Sequence, residues 1–138
     1  MKRKEERHIV VYREGEFSPE DLLNFVELKG FYDSWEDLRL TDKDLSALQV
    51  NIMCDPKGAP VMQGTRSLRK LRYSPESWNT GKSSALRVCY VYFEAYGLVL
   101  LCLCFPKNQL ENLTAAGKRA INKVIDRVEA AFKKKYGF

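Results

Sequence analysis

Histidine is almost missing from this chain: His8 is the only one in 138 residues. No histidine pair is available for proton transfer, and zinc ligation of the mixed His/Cys kind has little to build on. Long apolar runs are missing too. The longest, Leu98 to Phe105, falls well short of the roughly 20 residues needed to span a bilayer. The start, Met1-Lys2-Arg3-Lys4-Glu5-Glu6-Arg7, has no apolar stretch behind it to serve as a secretory leader. The expectation is a soluble, cytoplasmic protein without a membrane partner. Cysteine is sparse, with four residues. Cys89, Cys102 and Cys104 fall in apolar strand-like runs, Cys54 precedes a turn, and Cys102-Leu103-Cys104 is not zinc spacing, so reduced, packed thiols are expected. The Asn112-Leu113-Thr114 sequon has no meaning in the cytosol. Internal repeats and low-complexity segments are absent.

What is present is a strong charge asymmetry. Residues 1–63 hold 9 Lys/Arg against 13 Asp/Glu, whereas residues 64–138 hold 14 against 5, within a net charge of +5. A basic half on an otherwise ordinary globular composition points to a partner made of phosphate. The length suits one domain with one core.

Local signals define an α+β order. Residues 8–12 suit a short strand, and Ser18-Pro19-Glu20-Asp21 is a good start for a short helix running to about Asn24. Phe25 to Leu28 reads as a strand closed by Lys29-Gly30, with the boundary at residues 24–25 open. Phe31, Trp35 and Leu38 share one helix face. Thr41-Asp42-Lys43-Asp44 resembles a capping box opening a second helix, lined by Leu45, Leu48 and Ile52 and ended by Asp55-Pro56-Lys57-Gly58. The two helices form a hairpin. Beyond Gly64 the period changes: Leu68 to Tyr73, Ala85 to Phe93 and Leu98 to Phe105 suit three strands of an antiparallel meander, with a polar loop at 74–84. Thr114 then caps a helix with Ile121, Val124, Ile125, Val128 and Phe132 on one face and Lys118, Arg119, Lys123 and Arg127 elsewhere.

Taken in order, Gln63-Gly64-Thr65, Leu68-Arg69-Lys70-Leu71-Arg72-Tyr73, Gly81-Lys82-Ser83-Ser84, Leu86-Arg87-Val88-Cys89-Tyr90 and Pro106-Lys107-Asn108-Gln109-Leu110-Glu111-Asn112-Leu113-Thr114 resemble the HigB-type branch of the RelE/ParE toxin superfamily. Upstream, Phe25 to Phe31 resembles that branch's first strand and helix entry. The resemblance covers roughly residues 25–132. Residues 1–24 lie outside it, as an added arm or the product of an early start codon, leaving 25–138 as the toxin-like domain. The resemblance implies a RelE-like fold: an antiparallel curved sheet of about four strands, a helical hairpin packed on it and a C-terminal helix. It also implies cleavage of mRNA in the ribosomal A site, with the 70S ribosome, mRNA and a cognate antitoxin, often carrying a helix-turn-helix DNA-binding domain, as partners. The ParE branch instead poisons DNA gyrase, so fold alone leaves the target open; a catalytically inactive RNA-binding member is a further alternative.

RNA can be cut through its own 2′-hydroxyl, without metal or cofactor, if a base, an acid and positive charge at the phosphate are supplied. Arg87 matches the arginine of the family's third-strand motif and is the leading charge donor. Lys70 and Arg72, two apart on a strand, share a face, while Arg69 points the other way toward antitoxin or solvent. Lys107 completes the expected catalytic set. Lys82, Asn108 and Tyr73 are the expected RNA contacts, and Trp78 and Tyr90 suit either base stacking or the core. Thr114 stands where related enzymes carry a proton-transferring tyrosine or histidine, so the general base stays open between a lysine of lowered pKa and alignment by the ribosome.

Overall fold

The computed structural model describes residues 22–78, 85–106 and 113–136. The expected strand at 8–12 and helix start at Ser18 lie outside that set, but the helix expected to run to about Asn24 does not: residues 22 and 23 are non-helical and Asn24 opens a strand, because the chain there pairs with the sheet. The element order is β1 (Asn24–Glu27), α1 (Lys29–Asp37), α2 (Asp42–Cys54), β2 (Arg69–Tyr73), β3 (Leu86–Phe93), β4 (Leu98–Pro106) and α3 (Ala115–Tyr136), with single 3-10 turns at Glu76–Trp78 and Glu94–Tyr96. This is the expected α+β order. The strands lie in the sequence β1-β4-β3-β2. β2, β3 and β4 form the expected antiparallel meander, but β1 joins β4 in parallel, so the four-stranded sheet is mixed rather than antiparallel throughout as expected: α1, α2 and the meander intervene between β1 and β4, and no hairpin fixes their relative direction. Among the described residues, no helix is long and apolar enough to cross a membrane.

Lys29 and Gly30, expected to close the first strand, open α1 instead. The Tyr32 amide donates to the Leu28 carbonyl at 3.0 Å, and Lys29 pairs with Asp33 one turn on. Leu22 packs against the core, Leu23 is buried in it and Asn24 already belongs to β1, so the described fold takes in three residues upstream of Phe25. The turn after α1 runs through Arg39 in the left-handed region, with Leu40 donating to the Trp35 carbonyl at 3.2 Å. This side-chain-bearing residue occupies the position where helices usually end on glycine.

α2 begins as its sequence predicts. The Thr41 hydroxyl accepts from the Asp44 amide at 3.1 Å, and the Asp44 carboxylate accepts from the Thr41 amide at 3.0 Å. The acid at this position is aspartate rather than glutamate, and the box closes all the same. Trp35, fully buried, stacks on Phe31 with centroids 5.5 Å apart and donates its indole N–H to the Thr41 carbonyl at 3.3 Å.

The sheet separates two cores. On one face, α1 and α2 bring Phe31, Trp35, Leu45, Leu48 and Ile52 against Leu86, Val88, Tyr90, Val99 and Leu101. On the other, α3 brings Ile121 and Ile125 against Cys89, Val91, Phe93, Leu98 and Leu100. Thr114 caps α3, its hydroxyl accepting from the Gly117 amide at 3.0 Å. Along its length, the Asn122 side chain donates to the Gly64 carbonyl and Arg66 pairs with Asp126 at 3.1 Å.

Thr41→Ala should remove the cap and lower unfolding stability by about 1 kcal/mol, whereas Trp35→Ala should cost about 3–5 kcal/mol. Urea denaturation of the two variants against the parent protein measures both.

Candidate nucleic-acid interface

Side-chain alternation along β2 and β3 decides which groups can act together. Leu86, Val88 and Tyr90 point into the α1–α2 core, so Arg87 and Cys89 point to the opposite face. Register carries the same division to β2. Arg72 lies directly across from Arg87 and Lys70 across from Cys89, while Arg69, Leu71 and Tyr73 pair with Tyr90, Val88 and Leu86. Three of the expected site residues, Lys70, Arg72 and Arg87, therefore meet on the face that also receives α3. The Lys70 charge acts on the Cys89 thiol: burial pushes that thiol up to about 11, and Lys70 pulls the other way.

A β-bulge completes the surroundings of Arg87. Cys89 faces Leu103 and Tyr90 faces Leu101, which leaves Cys102 as an extra residue in β4. Beyond it the parity of β4 inverts, and Phe105 arrives opposite Arg87 on the same face. Arg87 thus stands between Arg72 and Phe105, only 5% exposed. Its one side-chain hydrogen bond among the described residues runs from the guanidinium to the Ala85 carbonyl at 3.3 Å, and no carboxylate pairs with it there. A guanidinium has five N–H donors. This one is nearly buried, faces another arginine and lacks an acidic partner among the described residues. Like charges directly opposite each other on a sheet are destabilising; an oxyanion placed between them reverses the sign of that interaction and suits the guanidinium fork.

The remaining expected residues divide. Lys82, Lys107 and Asn108 lie outside the described residues. Tyr73 stands on the other face, where it packs against the α1–α2 core and its hydroxyl makes a long 3.5 Å contact to the Asp44 carbonyl. Burial first, then the Asp44 and Glu76 charges, push it up to about 12. Its alternation parity places it apart from Lys70 and Arg72. Tyr90 and Trp78 also join that core, and the Tyr90 hydroxyl donates to the Pro56 carbonyl at 2.8 Å. Arg69 takes the opposite face as expected, but it is occupied within the fold, donating to the Lys57 and Ala59 carbonyls at 2.8 and 2.7 Å. Phe105 had no motif to single it out, because only the bulge brings it beside Arg87.

The thiols do not form a site. Cys102 belongs to the α3 core and Cys104 to the α1–α2 core, and burial raises both. Among the described residues no group of three His, Cys, Asp or Glu side chains could hold a metal ion. A groove of about 470 Å³ lies elsewhere, between α3 and the β3–β4 turn, with Val91, Phe93 and Ile125 on its walls and charges of both signs at its rim. Chemistry rather than volume marks the basic face as the candidate. No protein-family model matches the chain.

Alanine at Lys70 and Arg72 should weaken RNA binding without loss of fold. Arg69→Ala should leave RNA binding intact and destabilise the protein by about 1–3 kcal/mol, the scale of charge-assisted hydrogen bonds lost from a segment anchor. RNA titrations and denaturation curves on the three variants separate the two faces. Equal binding losses at all three would contradict the strand register.

Proposed function

We propose that this chain is a RelE/HigB-type toxin of a type II toxin–antitoxin system, an endoribonuclease that cuts mRNA on the ribosome in the cytoplasm and is held in check by a cognate antitoxin. The observation that carries the reading is Arg87: a nearly buried guanidinium opposite Arg72, with Lys70 on the same face and no acidic partner among the described residues. The α+β fold and the basic second half of the sequence support it.

In the proposed reaction the 2′-oxygen of a ribose attacks the adjacent phosphorus. A P–O2′ bond forms and the P–O5′ bond breaks, which gives a 2′,3′-cyclic phosphate and a 5′-hydroxyl. The 2′-hydroxyl proton passes to a base, and the departing 5′-oxygen gains a proton. Arg87 and Arg72 hold the charge that grows on the phosphoryl oxygens, and Lys70 adds to the local field. Among the described residues this face offers no histidine, and Tyr73 lies behind the sheet. Positive charge binds phosphate but does not align a 2′-hydroxyl with the scissile bond. Alignment contributes several kcal/mol, on the order of 7–11 in the best intramolecular cases, and mRNA fixed in a ribosomal A site receives it from the ribosome. The same lack of a proton-transfer group favours a second reading, a family member that binds, as a gyrase inhibitor does, without cutting.

The test is cleavage of one mRNA with and without programmed ribosomes. Fast cutting on ribosomes, slow cutting of naked RNA and cyclic-phosphate ends are expected; gyrase arrest with no RNA cut would replace the proposal with the second reading. Arg87→Met should reduce ribosomal cleavage about 10²–10³-fold, the scale for one transition-state donor. It should also leave the melting temperature equal or higher, since it removes a buried charge that has no acidic partner among the described residues. Full activity in the folded variant would remove Arg87 from the site.

A further inference from the structure

The outward side of α3 is not accounted for by the basic cluster. Its inward side is Ile121 and Ile125, buried against the sheet. With 3.6 residues per turn, Arg119, Lys123, Arg127 and Lys134 fall within a sector of about 80°, centred half a turn from those isoleucines. All four are exposed. None forms an ion pair or side-chain hydrogen bond with another described residue. The other positions of that sector are alanines, Ala116 and Ala130. The two acids of the helix lie outside it: Asp126 is engaged by Arg66, and Glu129 faces the groove beside β3.

Such a ridge is unfavourable for the isolated helix. Arg119 and Lys123, then Lys123 and Arg127, are like charges at i,i+4, a spacing that destabilises a helix. Solvated helix faces ordinarily intersperse both signs. From Arg119 to Lys134 the ridge runs about 22 Å, at 1.5 Å per residue. It also has a defined direction. α3 packs on the sheet face that carries Lys70, Arg72 and Arg87, so the ridge and the cluster look out from the same side of the molecule.

We propose that this ridge is a second polyanion site, which docks the phosphate backbone of a helical RNA segment while the sheet cluster engages the strand to be cut. The choice of RNA rests on the reading of the cluster given above; the extended row of cations with no hydrogen-bond acceptors among them suits a repeating phosphate backbone and carries no base-specific readout. The ridge contributes affinity and orientation, and it does not touch the reacting atoms.

The experiment uses the full chain with Arg119→Gln, Lys123→Gln and Arg127→Gln together, and a charge-retaining control with Arg119→Lys and Arg127→Lys. Thermal unfolding should stay unchanged or move slightly upward for the glutamine variant, since two like-charge pairs are removed. Binding to a mixed-sequence RNA duplex of about 20 base pairs should weaken at least tenfold near physiological salt. The slope of log affinity against log salt should shrink by about 2–3, the scale for three phosphate contacts. The lysine control should keep both. On programmed ribosomes the protein concentration for half-maximal cleavage should rise, and the single-turnover rate at saturation should stay within twofold. An unchanged duplex-RNA slope would overturn the proposal, as would a loss confined to duplex DNA or to vesicles containing anionic lipid. Failure of the parent protein to cleave would overturn the endoribonuclease reading while leaving the duplex-RNA slope to judge the ridge alone.

Discussion

Everything distinctive about this protein depends on the register between β2 and β3. With Tyr73 across from Leu86, Arg72 falls across from Arg87 and the two guanidinium groups share a face with Lys70. A slip of one residue would send Lys70 and Arg72 into the α1–α2 core and bring Arg69 and Tyr73 to the basic face, because strand side chains alternate with a period of two. Burial opposes that slip from several directions. Tyr73 and Leu71 pack on the α1–α2 core, the Tyr90 hydroxyl is tied to Pro56, and Arg69 is anchored on the Lys57 and Ala59 carbonyls. Residues with no part in the proposed chemistry thus hold the charged set in place. On the far side of Arg87 the extra residue Cys102 is equally decisive: without the bulge Phe105 would keep the parity of Val99 and Leu101 and point into the other core.

The same arrangement has a stability cost. Arginine is almost never fully buried without a partner, and here one with no acidic partner among the described residues faces another arginine across a strand pair. Natural proteins retain such local conflicts where function requires them and compensate elsewhere. Compensation is visible in the two cores. The α1–α2 side contains a stacked Phe31–Trp35 pair, a closed capping box and a continuous row of buried aliphatic side chains. α3 seals the other side with Ile121 and Ile125, and its far end adds edge-to-face contact between Phe93 and Phe132. The basic cluster sits at the end of the face marked by Arg87 and Phe105, away from the Phe93–Phe132 contact.

Much of this was legible in residue pattern. Short runs at Leu68–Tyr73, Ala85–Phe93 and Leu98–Phe105, the last two almost wholly apolar and all separated by turn residues, pointed to the meander, and Thr41 and Thr114 marked helix starts because a hydroxyl can satisfy a free backbone amide only there. The alternation of Lys70 and Arg72 against Arg69 was readable for the same reason. What pattern could not supply was anything that depends on pairing between distant segments. The parallel addition of β1 to β4 has no local signature. The burial of Arg87 depends on its neighbours across the sheet rather than on its own strand. Tyr73 carries a side chain equally suited to stacking on a base or filling a core, and alternation from Arg72 would have sorted it onto the core side. Gly30 reads as a strand terminator locally, yet the Leu28 carbonyl and the Lys29–Asp33 pair carry the helix through it.

The sheet's two faces also constrain how the protein could be both stable and active. One face is closed by the helical hairpin and is entirely a matter of packing. The other is shared between α3 and the cations, so a ligand on that face meets groups already held by strands rather than by loops, and little ordering is needed on binding. Preorganised charge of this kind stabilises a developing oxyanion but contributes nothing to deprotonating a nucleophile. A protein built this way is strong at one part of phosphoryl chemistry and weak at another. Within the proposed function the weakness has a consequence: the RNA must arrive already bent and aligned, and catalytic power then belongs to the complex of protein and aligned substrate rather than to the protein alone. Free RNA would be bound and left largely intact, whereas RNA held in position by a larger assembly would be cut. On that proposal, dependence on the ribosome would follow from the chemistry of Lys70, Arg72 and Arg87, since three cations on a rigid sheet would recognise a transition state only when something else brought the substrate close to it.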